Sequence, residues 1–454
     1  MLEVIGELVL KHAKKTDIDA IEAFLQKKSI KRIEINKGLI KNISEHELSG
    51  FAVRSIVDKR LGFVSSNSST NIEDTVELSA QNAKSSIQKV GEDFVDKKSI
   101  TPVKKIRDNR FRDLSLEDMS DTIIEILKSI ESSKPVKNIA GSLFVETEER
   151  MVVNSQGLWK REVGTRLQAE LETAIQVDDF LSVGTSSLFT RELHQNWQDL
   201  FNSAIKNAYS QQGRKKLSIE KPKGIILSSD AVAQILAFGL VPSLYLTNES
   251  AHYDSVKKRK FAKELELIDD PTLPGALNTF GFDDEGYPSE PRMVLSSGKC
   301  KRLLGMNFPC SDKSDRARYP GNCFRVTSMS KENRSYSYHP VVSASNFILS
   351  SRSPISDNML GYVSDGLYVK KLTGAQDANY FSGEFNFTVV EGYEIQNGEI
   401  TNPVLPCFCS GNIYTILEDS SIIMSSERKE ISIPATPLNI IAPELLTSRM
   451  TLTV

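Results

Sequence analysis

The run Gly224-Ile225-Ile226-Leu227-Ser228-Ser229-Asp230-Ala231-Val232-Ala233-Gln234-Ile235-Leu236-Ala237-Phe238-Gly239-Leu240-Val241-Pro242 decides how this chain is read. Its first four residues form an apolar strand, the next three a polar turn, and Ala231 to Val241 an apolar helix. Pro242 stops that helix, because proline has no N–H to donate and its ring clashes with the preceding turn. Ser229 or Asp230 is the expected N-cap, its side-chain oxygen accepting from an N–H left open at the helix start. Within the helix only Gln234 is strongly polar, and Val232, Ile235, Leu236, Phe238 and Leu240 go nearly all the way round. A helix apolar on every side is wrapped by other elements. It is either pure core or the floor of a site.

Toward the N-terminus the period of the sequence changes several times. Leu2 to Lys14 has helical spacing, and Ala20 to Ser65 reads as an antiparallel meander with turns at Asn36-Lys37-Gly38 and Asp58-Lys59-Arg60. Asn71 to about Val90 and Leu116 to Ser132 are helical, separated by a polar surface connection at Thr101 to Asp113. A second β block runs from Val136 to Leu188 around the turn Asn154-Ser155-Gln156-Gly157, and Trp197 to Gln211 returns to helix. Arg214 to Pro222 is a charged linker. Beyond the central helix, from Leu265 onward, short β-type runs alternate with Pro, Gly, Ser and Asn, with one further helical turn at Ile413 to Glu418. The expected fold class is α+β. An N-terminal domain (1–212) carries antiparallel sheets with segregated helices, and a C-terminal mainly-β domain (223–454) surrounds one buried central helix at 230–242.

With 454 residues and a formal net charge of −3, the chain has no global basic field to draw it to nucleic acid or anionic membrane. Basic runs such as Lys104 to Arg112 and Lys257 to Lys260 read as solvated faces diluted by acidic neighbours. No apolar run reaches the roughly 20 residues a bilayer span needs. The N-terminus lacks the basic and small-residue pattern of a signal peptide. Five cysteines without a Cys-x-x-Cys suit reduced thiols, and a cytoplasmic location is expected.

Few residues offer chemistry. His12, His46, His194, His252 and His339 never approach metal-ligand spacing and read as surface or packing histidines. Cys407 and Cys409 share one face of a strand, but two thiolates do not fill a tetrahedral zinc site. Hydrolase elbows, phosphate loops and dinucleotide fingerprints are absent. Two acidic clusters remain, Asp269-Asp270-Pro271 and Asp283-Asp284-Glu285-Gly286. Their oxygens suit a hard cation or an acid–base pair, but turn formation is the favoured reading, since Asp before Pro and Asp or Glu before Gly shape loops.

The order of the loops adds a resemblance. Arg54, Gly62-Phe63-Val64-Ser65-Ser66-Asn67, Asn154-Ser155-Gln156-Gly157, the two acidic clusters, Leu372-Thr373-Gly374, Gly383-Glu384-Phe385, Gly392 to Glu399 and Gly411-Asn412 together resemble the TldD/PmbA family over nearly the whole chain. The resemblance implies a peptidase system acting on small peptides. TldD-type chains of that family carry His-Glu-x-x-x-His on a buried helix, with a cysteine near the C-terminus as a further zinc ligand. PmbA-type chains, also called TldE, lack these ligands and pair with a TldD-type chain. Registering the strand at Gly224 places the motif over Ala237-Phe238-Gly239-Leu240-Val241-Pro242. Ala237 and Pro242 thus stand where the zinc histidines would be, and Phe238 where the general base would be.

The resemblance therefore implies a PmbA-type chain with no catalytic or metal-binding residue of its own and no cofactor, its zinc residing in a TldD-like partner. Partners implied are that subunit, a second copy of this chain as a homodimer, and a peptide substrate. Asp283, Asp284, Glu285, Gly286, Asn379, Glu384, Asn397 and Asn412 are the candidate cavity or loop-motif residues. After Gly383 the family tends toward Ser-Arg-Gly-Ala, where this chain has the β-type run Phe385 to Val390. Two other functions compete. One is a stand-alone hydrolase using Asp283, Asp284 and Glu285 or the thiols of Cys407 and Cys409. The other is a regulator associated with gyrase or DNA, against which the weakly acidic balance argues.

Overall fold

The computed structural model describes the chain except residues 88–89, 91–92, 134–135, 178–179, 195, 220, 247–255, 307–319, 328–333, 356–357, 434–435 and 454; His252 and Cys310 lie outside the described residues. It is an α+β structure of two large sheets. The first half contributes β1 (Ala20–Asn36), β2 (Leu39–Val57), β3 (Arg60–Ser66), β4 (Val136–Asn154), β5 (Trp159–Val177) and β6 (Phe180–Thr190). The two β blocks of the sequence do not make separate sheets. They fuse into one antiparallel sheet of order β3-β2-β1-β4-β5-β6, because β1 pairs with β4 along most of its length.

Strand β1 shows how the sequence divides its labour. Side chains alternate between faces of a strand, and Ile21, Ala23 and Leu25 lie in one cluster with Leu2, Ile5 and Val9 of helix α1 (Leu2–Ala13) and Ile72 and Val76 of helix α2 (Ile72–Ser85). Farther along the sheet, Ile33, Leu143, Val145 and Leu167 cluster with Ile123 and Leu127 of α3 (Leu116–Ser133) and Phe201 and Ile205 of α4 (Trp197–Tyr209). The alternate positions of β1, namely Glu22, Phe24, Gln26 and Lys28, are also buried, although three of them are polar. Their cover is the second half of the chain, and they need partners there. Helix α2 ends at Ser85, short of the expected Val90. The connection at Thr101 to Asp113 contains a short 3₁₀ turn, Asn109–Asp113, whose Phe111 is buried.

The second sheet is mixed. Besides the strands named below it takes in β8 (Leu265–Asp269), β9 (Arg292–Ser296), β10 (Lys299–Cys300), β13 (Asn346–Ser351), β17 (Cys407–Asn412) and β20 (Met450–Thr453). Strand β11 (Cys323–Phe324) pairs separately with β12 (Val341–Val342). Strand β7 (Gly224–Leu227) sits in its interior, parallel to β14 (Asp365–Thr373) and antiparallel to β19 (Asn439–Thr447). All four β7 residues are buried. Ile225 and Leu227 join the main core and Ile226 joins a cluster on the other face with Met359, Val363 and Leu446. The uninterrupted apolar run is thus a strand covered on both sides. Helix α5 (Ser229–Gly239) follows at once. Its N-cap is Ser228, one residue before the expected candidates: its Oγ accepts from Ala231 N at 3.2 Å and donates to Lys370 O at 2.7 Å. The helix ends at Gly239, not Val241, and Pro242 lies inside a following 3₁₀ turn, Val241–Leu244. The expected turn Ile413–Glu418 forms as helix α6, capped by Asn412.

Candidate functional site

Three assemblies concern function, and α5 connects two of them. Of its residues Ala231, Val232, Ala233, Ile235, Leu236 and Ala237 are buried in the main core, whereas Asp230, Gln234 and Phe238 are only partly covered. These three recur at intervals of four and form one stripe on the helix; Pro242, also partly covered, lies beyond them. Two of the four, Phe238 and Pro242, occupy positions that the resemblance assigns to a general base and a zinc ligand, and Ala237 is sealed in the core.

A zinc ion does not fit these residues. A methyl group, a phenyl ring and a proline ring supply no donor atom. Among the described residues no three His, Cys, Asp or Glu side chains come together as a metal group. Cys407 and Cys409 share one strand face as expected, but both are buried, and burial pushes their thiols up to about 11 and about 12. They stay protonated at neutral pH and are poor ligands. The described histidines stand apart, with His12 beside Glu73, His194 against Asn196 O and His339 against the Phe63 ring.

The start of the stripe opens on a cleft of about 1090 Å³ between the two sheets. Asp230 and Gln234 reach it from α5, Lys371 from β14, Thr185 and Phe189 from β6, and Glu430 from β18 (Ile423–Ser432). Gln234 Nε2 donates to Asp230 Oδ1 at 2.7 Å. Burial raises the Asp230 carboxyl above its usual range, against the lowering by Gln234 and Lys371. Burial lowers the Lys371 ammonium.

At the other end of α5 lies a loop cluster. Asn379 Oδ1 accepts from Phe381 N at 2.9 Å and Ser382 N at 3.2 Å, and Asn412 Nδ2 donates to Ser382 O at 2.8 Å. Gly383 sits between them at φ +83°, where a Cβ would meet the Tyr414 ring at 2.2 Å. Glu384, Asn412 and Arg449 line a smaller pocket of about 400 Å³. A Cβ at Gly239 would lie 3.5 Å from Ile413 and 3.9 Å from Ala378, so this cluster abuts the end of α5. The structure thus brings Asn379, Glu384 and Asn412 together. Asn397 is elsewhere, at φ +52° in the turn between β15 (Glu384–Gln396) and β16 (Glu399–Pro403).

The acidic cluster Asp283-Asp284-Glu285-Gly286 lines neither pocket. It is buried against the charged face of the first sheet. Asp284 meets Arg150 at 2.6 Å and Arg334 at 3.0 Å, and accepts from Arg325 N at 2.7 Å. Glu285 and Glu22 share Arg54 at 3.2 and 2.7 Å. Lys28 pairs with Glu146 at 3.2 Å, and Arg334 with Glu148 at 3.3 Å. Asp283 accepts from the N–H groups of Glu285, Tyr287 and Cys323, yet burial and Glu285 push its carboxyl up to about 8. Gly286 adopts φ +80°, and a Cβ there would strike Leu158 at 2.2 Å. Asp269, of the first acidic cluster, accepts from Ser345 N at 2.6 Å and Asn322 Nδ2 at 2.6 Å, while Asp270 caps Thr272 N at 2.8 Å. Buried charges of both signs, each with partners, are how two polar faces are sealed together. The partners of Asp284 and Glu285 are arginines far away in sequence, so no local signal announced them.

Two sheets sealed by buried ion pairs, with an apolar helix carrying its partly open stripe to an intervening cleft, define a two-sheet α+β class of protein. The sequence profile described as the PmbA/TldA metallopeptidase C-terminal domain matches residues 222–454, and that described as PmbA/TldA metallopeptidase domain 1 matches residues 21–83. The chain belongs to the PmbA/TldD family. A metalloprotease of Methanocaldococcus jannaschii is 26% identical over 396 residues, covering 85% of each chain. A metalloprotease TldD homolog of Buchnera aphidicola is 23% identical over 418 residues, 86% of this chain and 82% of that one. The crystal structure of TldE from Thermococcus kodakarensis shares the fold with a TM-score of 0.83 at 19% identity, over 99% of this chain and 100% of that one. A Thermotoga maritima protein described as a proposed modulator of a DNA gyrase does so with a TM-score of 0.83 at 18% identity, over all of both chains.

Proposed function

We propose that this chain is the metal-free, TldE-like subunit of a cytoplasmic metallopeptidase system that cuts small peptides. Zinc is held by a TldD-like partner, and this chain helps wall the cavity in which the peptide lies. The observation that carries the reading is the α5 stripe. In and just beyond α5, the positions to which the family resemblance assigns zinc ligands and a general base hold Ala237, Phe238 and Pro242. A chain that keeps the fold and the cleft but supplies no ligand there can position substrate for a site that another chain completes.

The test is co-expression with a TldD-like chain encoded in the same genome, followed by size-exclusion chromatography. The reading predicts co-elution at the mass of a mixed complex. Separate elution at all ratios, with this chain unaffected by the other, would sink it.

A further inference from the structure

Two adjacent lysines on β14 behave differently. Lys370 is built in: its Nζ pairs with Glu391 and donates to Asn207 Oδ1 at 3.0 Å. Lys371 lines the cleft instead. Asp230 and Glu391 act on it electrostatically, but among the described residues no hydrogen bond or ion pair holds its ammonium. An ammonium partly withdrawn from water without a partner is costly. A ligand that brings an anion removes the cost.

The neighbouring groups narrow the ligand. Gln234 gives one amide N–H to Asp230, and the Gln234 carbonyl and the Asp230 carboxylate keep acceptor capacity on side chains that line the cleft. Arg32, Lys41 and Lys429 also line the cleft, with Glu34, Glu170, Glu172 and Glu430. Among its cations Lys371 is the one beside the Asp230 and Gln234 acceptors, a pairing that matches a carboxylate attached to a group with N–H donors. A peptide end has that pattern, with the carboxylate on the cation and the last amide N–H on an acceptor. The cleft, at about 1090 Å³, is large enough for several residues of extended chain.

The geometry points to Lys371 as the anchor for a peptide carboxylate, with Gln234 and Asp230 accepting from the adjoining backbone N–H. The choice of a peptide rests on the peptidase-system reading above. The ligand chemistry could come from a free C-terminus or from an acidic side chain, and the test separates them.

Fluorescence anisotropy of the full chain is measured with a short fluorescein-labelled Ala-Gly peptide bearing a free C-terminus, with its C-terminal amide, and with an amide carrying one internal Glu. Tighter binding of the free acid than of the plain amide, by about tenfold, is expected from one charge-assisted hydrogen bond. If the Glu-containing amide binds as well as the free acid, the carboxylate is a side chain, which also supports the anchor. Lys371→Met should abolish the acid-to-amide ratio and Lys371→Arg should keep it. This ratio does not depend on how much of the variant is folded. Equal binding of acid and amide by the unaltered chain, no binding at all, or an undiminished ratio in Lys371→Met would overturn the assignment. None of these results bears on complex formation with a TldD-like chain, so failure of the anchor and failure of the subunit reading are separable.

Discussion

Arg150 of β4 and Asp284 of the second half meet at 2.6 Å with side-chain exposures of 2% and 0%, across 134 residues of sequence. Neither charge has water to fall back on. Arg150 is further held by Glu162 at 2.8 Å and by Phe282 O at 2.5 Å. This pair ties the first sheet to the turn that the sequence offered as a candidate acid–base or cation site.

Removing one member strands the other. Arg150→Met or Asp284→Leu is expected to cost about 3–5 kcal/mol in urea unfolding, and the double variant less than the two single losses added. Single losses under about 1 kcal/mol would mean the buried cluster is not a fastener between the halves.

Stability should fall as pH rises through neutrality. Burial and Glu285 push the folded-state Asp283 carboxyl up to about 8, above its ordinary value. The folded chain therefore holds a proton that the unfolded chain has already released. Stability from this group is complete below the ordinary carboxylate range and is lost as pH climbs toward about 8, at a limiting slope of about 1.4 kcal/mol per pH unit. His339, lowered by burial and by Arg325 and Arg54, works in the opposite sense only below its ordinary value. Asp230 and Asp269, also raised by burial, act in the same sense, so denaturant unfolding from about pH 6.5 to about pH 8 is compared between the unaltered chain and Asp283→Asn. A decline is expected, shallower in Asp283→Asn and in Glu285→Gln, and a rise would contradict the assignment.

Ser228 caps α5 and ties it to β14 through Lys370 O. Ser228→Ala should cost about 1–2 kcal/mol. Thermal unfolding beside Ser229→Ala, whose side chain is not the cap, decides which serine starts the helix.

Close approach of helix to sheet depends on glycine at Gly62 and Gly184. A Cβ at Gly62 would lie 1.9 Å from Ser79 O, and one at Gly184 2.1 Å from Ala208 N. Backbone atoms cannot step aside as side-chain tips do. Gly62→Ala and Gly184→Ala should each lose about 1–3 kcal/mol or more of stability, whereas Gly38→Ala meets nothing within 4 Å and, at φ +69°, carries only local strain. Equal effects at the three positions would count against this packing.

Much of this was legible because it is local. The β7–α5 run, the α1, α3 and α4 helices and the capped turn at Ile413 follow from periodicity and caps over a few residues. The fusion of the β blocks was not, because the pairing of Ala23 with Val153 joins segments that no turn connects. Burial of the polar face of β1 was not legible either, since Glu22, Gln26 and Lys28 give no sign of arginines supplied from beyond residue 280. The N-cap slipped by one position because Ser228, Ser229 and Asp230 are all good caps, and contact with Lys370 O favours the first. Lys371 was passed over because its meaning lies in the partner it lacks.

The central claim is that this chain supplies shape and substrate contacts but no metal. The most direct measurement is zinc content, by elemental analysis, of the two chains separated after co-purification, alongside peptide hydrolysis by each alone and by the mixture. The account predicts zinc on the TldD-like chain, none retained in stoichiometric amount by this one, and full hydrolysis only in the mixture. One zinc per molecule of this chain, with hydrolysis by it alone, would contradict it.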